Sequence, residues 1–270
     1  MLRDWDKKAS WFFAEAARSA PTISTAQTWS IMVLRLWQVK PPDDVSGRST
    51  AAYRDQSLSA MPDAFRRKGA RTDWADANRR GQPTDCFIEG PSFDTEGNLY
   101  VVDIPFGRIF KIAPDGEWSL TIEYDGWPNG LKIHPDGRVL VADYRHGIME
   151  LDAKAGRMQP VLTTRNSESF KGCNDLHIAS TGEVYFTDQG QTGLHDPTGR
   201  VFRLSPNGRL DCLLDTGISP NGLVLDPTET VLFVAMTRDN AVWRLPFMKT
   251  AASRRSAASA RPSAPAAPTA

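Results

Sequence analysis

The sequence has no charge bias. Lysine plus arginine and aspartate plus glutamate each total 32, so the formal net charge is zero. A nucleic-acid binder would carry a basic excess, and this balance argues against one. Long apolar runs are missing too. The best candidate, Trp29 to Trp37, is short and interrupted by Ser30 and Arg35, and falls well below the roughly 20 residues that cross a bilayer. The first turns of chain hold Asp4, Asp6, Lys7, Lys8 and Glu15 and do not resemble a secretory leader. Cysteine is scarce. Cys86, Cys173 and Cys212 form an odd set without C-x-x-C spacing, which suits reduced thiols in a cytoplasmic protein. Each is read as a small buried hydrophobe. Histidine is scattered as well: His134, His146, His177 and His195 share no spacing, so no histidine-rich zinc site is expected.

What is present is a repeat. Four polar signatures recur: Ile88-Glu89-Gly90-Pro91, Pro128-Asn129-Gly130-Leu131, Cys173-Asn174-Asp175-Leu176 and Pro220-Asn221-Gly222-Leu223. Glu89, Asn129, Asn174 and Asn221 stand 40, 45 and 47 positions apart. Each is followed by strand-like runs: Leu99 to Asp103, Val139 to Asp143, Val184 to Asp188 and Val231 to Met236. A period of this length with several strands per unit marks a β-propeller. Equivalent positions of the units then face the same place, so one Glu and three Asn are expected near the central axis. Glutamate and amide oxygens are hard donors that suit Ca²⁺, Mg²⁺ or Mn²⁺. The competing reading of the Asn residues is that Asn-Gly and Asn-Asp favour turns. Asp103, Asp143 and Asp188 are also in phase and are expected to cap strand ends or tie blades together. One loop stands out: residues 189–198 lengthen the third unit between its second and third strands.

The repeat does not fill the chain. Residues 1–60 carry no signature and read as an N-terminal extension, with an amphipathic helix expected over Asp4 to Ala20; Met61 is an alternative start. Residues 61–85 form a charged entry segment. Residues 86–247 hold about four blades, the fourth expected to stop without its outer strand. Residues 248–270, dominated by Ala, Ser, Arg, Pro and Thr, are expected to be disordered. The fold class is therefore all-β, an incomplete propeller preceded by a non-propeller segment.

Taken in order and spacing, Ile88 to Phe93, Phe170 to Asp175, Ser219 to Leu223 and Val242 to Pro246 resemble the SMP-30, gluconolactonase and luciferin-regenerating-enzyme family over roughly residues 62–247. The resemblance implies a six-bladed propeller with a divalent cation in its channel, Ca²⁺ ahead of Mg²⁺, Mn²⁺ or Zn²⁺. It implies a small-molecule lactone or ester substrate, with no nucleic-acid or membrane partner. Carried over by position, Glu89, Asn174 and Asn221 are the metal residues, and Asn129 and Lys171 help position substrate. The family often has an arginine two residues before the middle asparagine, where this chain has Gly172. The family's last ligand, an aspartate that is also the proposed base, falls by one more period near residues 265–270, where there is no acid. The catalytic base is thus unassigned. Two readings stay open: a metal-dependent hydrolase of sugar lactones or related esters, and a non-catalytic, truncated or frame-shifted remnant or binding scaffold.

Overall fold

A computed structural model describes residues 59–250 and 253–256, and side chains over 59–247. The readings made for residues 1–58 and 257–270 lie outside the described residues. Among those described, no helix is long and apolar enough to cross a membrane.

Four four-stranded antiparallel sheets follow one another, each with its strands in chain order. Blade one is β1 (Ile88–Phe93), β2 (Leu99–Asp103), β3 (Arg108–Ile112) and β4 (Trp118–Glu123). Blade two is β5 (Pro128–Ile133), β6 (Val139–Asp143), β7 (Gly147–Asp152) and β8 (Arg157–Leu162). After a small hairpin, β9 (Thr164–Arg165) and β10 (Glu168–Ser169), blade three comprises β11 (Cys173–Ile178), β12 (Val184–Asp188), β13 (Gly199–Leu204) and β14 (Leu210–Gly217). Blade four is β15 (Pro220–Leu225), β16 (Val231–Met236), β17 (Ala241–Thr250) and β18 (Ser253–Ser256). The inner strands adjoin in the order β1, β5, β11, β15. This is the expected propeller arrangement, with four blades.

The continuous apolar runs of β2, β6 and β12 explain the packing, because the two faces of each serve two different cores. Tyr100 and Val102 of β2 meet Leu131, Val139 and Val141 of blade two. Leu140 and Ala142 of β6 meet Leu176, Val184 and Phe186 of blade three. Tyr185 and Val201 of blade three meet Leu223, Leu232, Val234 and Met236 of blade four. Fully buried Phe110, Phe186 and Phe202 are each worth about 1.5–3 kcal/mol over exposure. The remaining face of blade one, Leu99, Val101, Phe110 and Ile112, packs on Met61 and Phe65 of the entry segment. Arg108 Nη1 donates to the Phe65 carbonyl at 2.7 Å, and Trp118 Nε1 to Ser59 Oγ at 2.8 Å. The entry segment also holds α1 (Asp73–Arg79), whose Thr72 cap accepts from Ala75 N. Its Trp74 packs on Phe87, ring centroids 4.7 Å apart.

The sequence expectation fails at the end of blade four. An outer strand is present, β18, and β17 runs on to Thr250, so 248–250 and 253–256 are strand where disorder is expected. The register explains both views. Residues 241–246 of β17 pair with β16, whereas β18 pairs only with Phe247 to Thr250. The hairpin extends past the blade instead of flanking it as β4, β8 and β14 flank theirs. Inner strand β1 begins at Ile88, so the first signature lies within the strand.

Candidate functional site

Each inner strand bulges at its signature. Pairing skips one extra residue between Glu89 and Ser92, Pro128 and Gly130, Cys173 and Leu176, and Pro220 and Leu223. A bulge bends its strand and re-aims the side chains beside it. Asn129, Asn174 and Asn221 lie within their bulges, whereas Glu89 stays paired with Val102 and its bulge follows at Gly90 and Pro91.

The signatures adjoin. A Cβ at Gly90 would fall 2.7 Å from the Asn129 carbonyl oxygen, and one at Gly130 would fall 2.6 Å from Asp175 Oδ1 and 2.9 Å from the Asn174 carbonyl oxygen. Glycine follows the marked residue in units one and two because the next strand's backbone or carboxylate occupies that space, whereas a Cβ at Gly222 would make only ordinary contact. Unit three has Asp175 in the glycine slot. Its carboxylate lies over Gly130 and faces Gly222, with Oδ2 at 3.6 Å from a Cβ position there. Asp175 Oδ1 accepts from Leu176 N at 2.8 Å, and its own N donates to Thr187 Oγ1 at 3.1 Å. Thr187, fully buried, donates in turn to the Asn221 carbonyl at 2.8 Å, tying blade three to blade four.

Glu89 on blade one and Asp175 on blade three are close enough to feel each other's charge. Burial first, and then Asp175, push the Glu89 carboxyl from the ordinary 4.5 up to about 7; the N–H of Gly90 works against this. Burial raises Asp175 above the usual carboxylate range, against Lys132 and the N–H groups of Leu176 and Leu223. Both residues keep some contact with solvent. Two acids packed together with one nearby ammonium form a site that favours added positive charge. Sequence reasoning passed over Asp175. The available signal was the carboxylate in the slot where the other three units have glycine.

Asn174 is buried, and its Nδ2 donates to Gln189 Oε1 at 2.8 Å. Asn129 and Asn221 are half-buried beside it in the stack. Lys171 is exposed, and its ammonium is paired with Thr198 Oγ1 in the long loop. It braces the loop. The strand-end aspartates act as expected of them. Asp103 Oδ1 accepts from Phe87 N at 2.7 Å, and Asp188 Oδ1 from Gly172 N at 2.8 Å. Asp143 Oδ2 accepts from Tyr124 OH at 2.6 Å. Asp103 and Asp188 also pair with buried Arg108 and Arg200.

Among the described residues, no three His, Cys, Asp or Glu side chains form a ready metal cluster. Two carboxylates, Glu89 and Asp175, feel each other's charge, and with the carbonyl ends of the neighbouring asparagines they offer oxygen donors. That fits a hard divalent cation better than a soft one.

Residues 87–266 match the family model described as SMP-30/Gluconolactonase/LRE-like region. A gluconolactonase of Zymomonas mobilis is 36% identical over 171 residues, which cover 54% of this chain and 48% of that protein. Lactonase drp35 of Staphylococcus aureus is 28% identical over 208 residues, 73% of this chain and 62% of that protein. The chain thus spans about half to three fifths of the length of these relatives. Among solved structures, a gluconolactonase from Xanthomonas campestris aligns with a TM-score of 0.55 at 22% identity, covering 61% of this chain and 59% of that one. A calcium-binding regucalcin from Agrobacterium tumefaciens aligns with a TM-score of 0.52 at 19% identity, covering 60% and 54%. At these identities the structural matches speak for the fold.

Proposed function

Since the chain belongs to the SMP-30/gluconolactonase/LRE-like family, we propose that its ring of inner-strand residues holds a divalent cation and serves hydrolysis of a lactone or related ester. The observation that supports this reading is the four bulges, which fall at or beside Glu89, Asn129, Asn174, Asp175 and Asn221 on four adjoining inner strands. Glu89, Asn174 and Asn221 would hold the cation, with Ca²⁺ the first choice for an all-oxygen set. When bound, such an ion supplies Lewis acidity toward an ester or lactone carbonyl.

The protein's own groups have distinct tasks. Glu89 contributes the charge that neutralises a cation, and its raised carboxyl makes that contribution depend on pH. Asp175 is the second acid at the ring and is the candidate to take a proton from water and return it to the leaving alcohol. Asn129 is disposed to orient substrate by hydrogen bonds. The relatives named gluconolactonase and lactonase support a small lactone substrate for this site.

A second reading, a binding scaffold without turnover, is favoured by one observation. The carboxylate of Asp175, the candidate base, already accepts from Leu176 N at 2.8 Å and from the N–H of Leu223. Calorimetric titration of the 270-residue chain with Ca²⁺ and Mn²⁺, beside hydrolysis of a panel of aldonolactones, separates the two. Binding with turnover supports the hydrolase, binding without turnover the scaffold. No binding of either ion sinks the cation-holding reading.

A further inference from the structure

Asparagine serves a cation only with its carbonyl oxygen, and its amide nitrogen in the same place would repel the ion. A half turn about the terminal torsion exchanges the two, so an asparagine ligand needs something to fix which end points where. For Asn174 that device is visible. Its Nδ2 donates to Gln189 Oε1 at 2.8 Å. Gln189 is held in this orientation by its own amide, whose Nε2 donates at 2.8 Å to Ser219 Oγ and more loosely, at 3.5 Å, to Thr237 Oγ1. Ser219 and Thr237 are joined at 3.0 Å, and Thr237 Oγ1 also reaches the Ser219 carbonyl at 3.1 Å. The chain of bonds runs from blade three into blade four.

The Gln189 backbone is equally fixed. Its N donates to the Gly172 carbonyl at 2.8 Å, and its carbonyl accepts from Thr192 Oγ1 at 2.6 Å. The loop that follows is clamped by Arg238 Nη1, which donates to the carbonyls of Gln191 at 2.8 Å and Thr192 at 2.6 Å. Gln191 Nε2 reaches Tyr144 OH of blade two at 3.1 Å. The extra residues of the third unit therefore hold one glutamine at the rim of the ring.

We propose that Gln189 is a positioning residue that locks the amide of buried Asn174, turning its carbonyl oxygen away from the loop and into the ring. This rests on the cation-holding reading of the ring. An outer partner that fixes a ligand's orientation typically contributes about 10-fold to 100-fold in metal affinity.

The test uses the full chain as wild type, Gln189→Met, Gln189→Glu and Ser219→Ala. Methionine has similar bulk but cannot accept the amide. Glutamate still accepts it, and the Ser219 hydroxyl can rotate to donate to the new carboxylate. Two quantities are read: the side-chain amide resonance and hydrogen exchange of Asn174 by NMR without metal, and affinity for Mn²⁺ and Ca²⁺ by calorimetry. Gln189→Met is expected to unprotect the Asn174 amide and weaken Mn²⁺ about 10-fold to 100-fold. Gln189→Glu is expected to keep the amide protected and bind Mn²⁺ at least as well as wild type. Ser219→Ala, which leaves Gln189 free to turn, is expected to give a smaller loss in the same direction, and it carries the test should the methionine variant fail to fold. A methionine variant with wild-type amide protection and wild-type Mn²⁺ affinity overturns the proposal. Absence of both Mn²⁺ and Ca²⁺ binding in wild type overturns the reading of the ring instead. The amide data then decide the locking role by themselves: a wild-type Asn174 amide that exchanges freely overturns it, and one protected only while Gln189 or Glu stands there upholds it.

Discussion

Glu89 is the residue at the ring whose chemistry pH reads most directly. Its carboxyl is raised from 4.5 to about 7 by burial and by Asp175. A raised carboxyl in the folded chain binds its proton more tightly than the unfolded chain does. Without cation, the contribution of Glu89 to stability is therefore greatest below about 4.5 and is lost as pH climbs to about 7. Melting curves across that window should show the decline, and Glu89→Gln should remove it. A cation must displace the same proton, so its affinity should fall about tenfold for each pH unit below 7. Calorimetric titrations at pH 5.5, 6.5 and 7.5 check this, and a flat affinity would assign the ring's charge to another group. The repeat spacing put Glu89, Asn129, Asn174 and Asn221 in phase, and the resemblance to the family, not the spacing, chose Glu89, Asn174 and Asn221 among them as metal residues. Asp175 and Gln189 were harder to read. The first needs the packing over Gly130, and the second depends on the path of a loop that no periodicity governs.

At the scale of the element, the inner strands and their strand-end aspartates set the tolerance of the site. Asp188 is fully buried, accepts from Gly172 N, and pairs with buried Arg200 at 2.6 Å. Asp188→Ala would leave buried Arg200 with only the exposed Glu168, at 3.0 Å, as its acidic partner and the Gly172 N–H unmet, at a cost of about 3 kcal/mol. Replacing Arg200 by Met in the same chain should recover part of that loss in denaturant titrations; a strictly additive double variant would refute the pairing argument. Gly130→Ala is a sharper probe of β5. Its Cβ would sit 2.7 Å from Asp175 Cα and 2.6 Å from Asp175 Oδ1, so the strand must shift, at about 1–3 kcal/mol. The same shift displaces Asp175, so cation binding should weaken along with stability. The strands themselves were legible from apolar alternation and Gly turns. The bulges were not, since one extra residue leaves the local pattern nearly unchanged. Helix α1 was missed because seven residues in a charged segment give almost no periodic signal.

For the whole molecule, the two flanks of the blade series differ. Blade one is covered on its outer face by Met61 and Phe65. Blade four presents the opposite situation. Val242 pairs with Ala235 as Ile109 pairs with Val102, Ile148 with Ala142 and Val201 with Thr187. Ile109, Ile148 and Val201 are fully buried, whereas Val242 is 50% exposed. β2, β6 and β12 are buried at every position, but β16 alternates, with Val231, Phe233 and Ala235 half-buried. Nothing in the apolar pattern of β16 predicts this, because its residues are as hydrophobic as those of the strands that are covered. The difference is testable by paired truncations. Ile148→Ala should cost about 2–5 kcal/mol through its cavity. Val242→Ala should stay within about 0.5 kcal/mol, as at an ordinary surface position. Should Val242→Ala instead cost several kcal/mol, the face is covered in solution. The cost would then vary with protein concentration if a second copy supplies the cover, and would not vary if the chain's own remaining residues do.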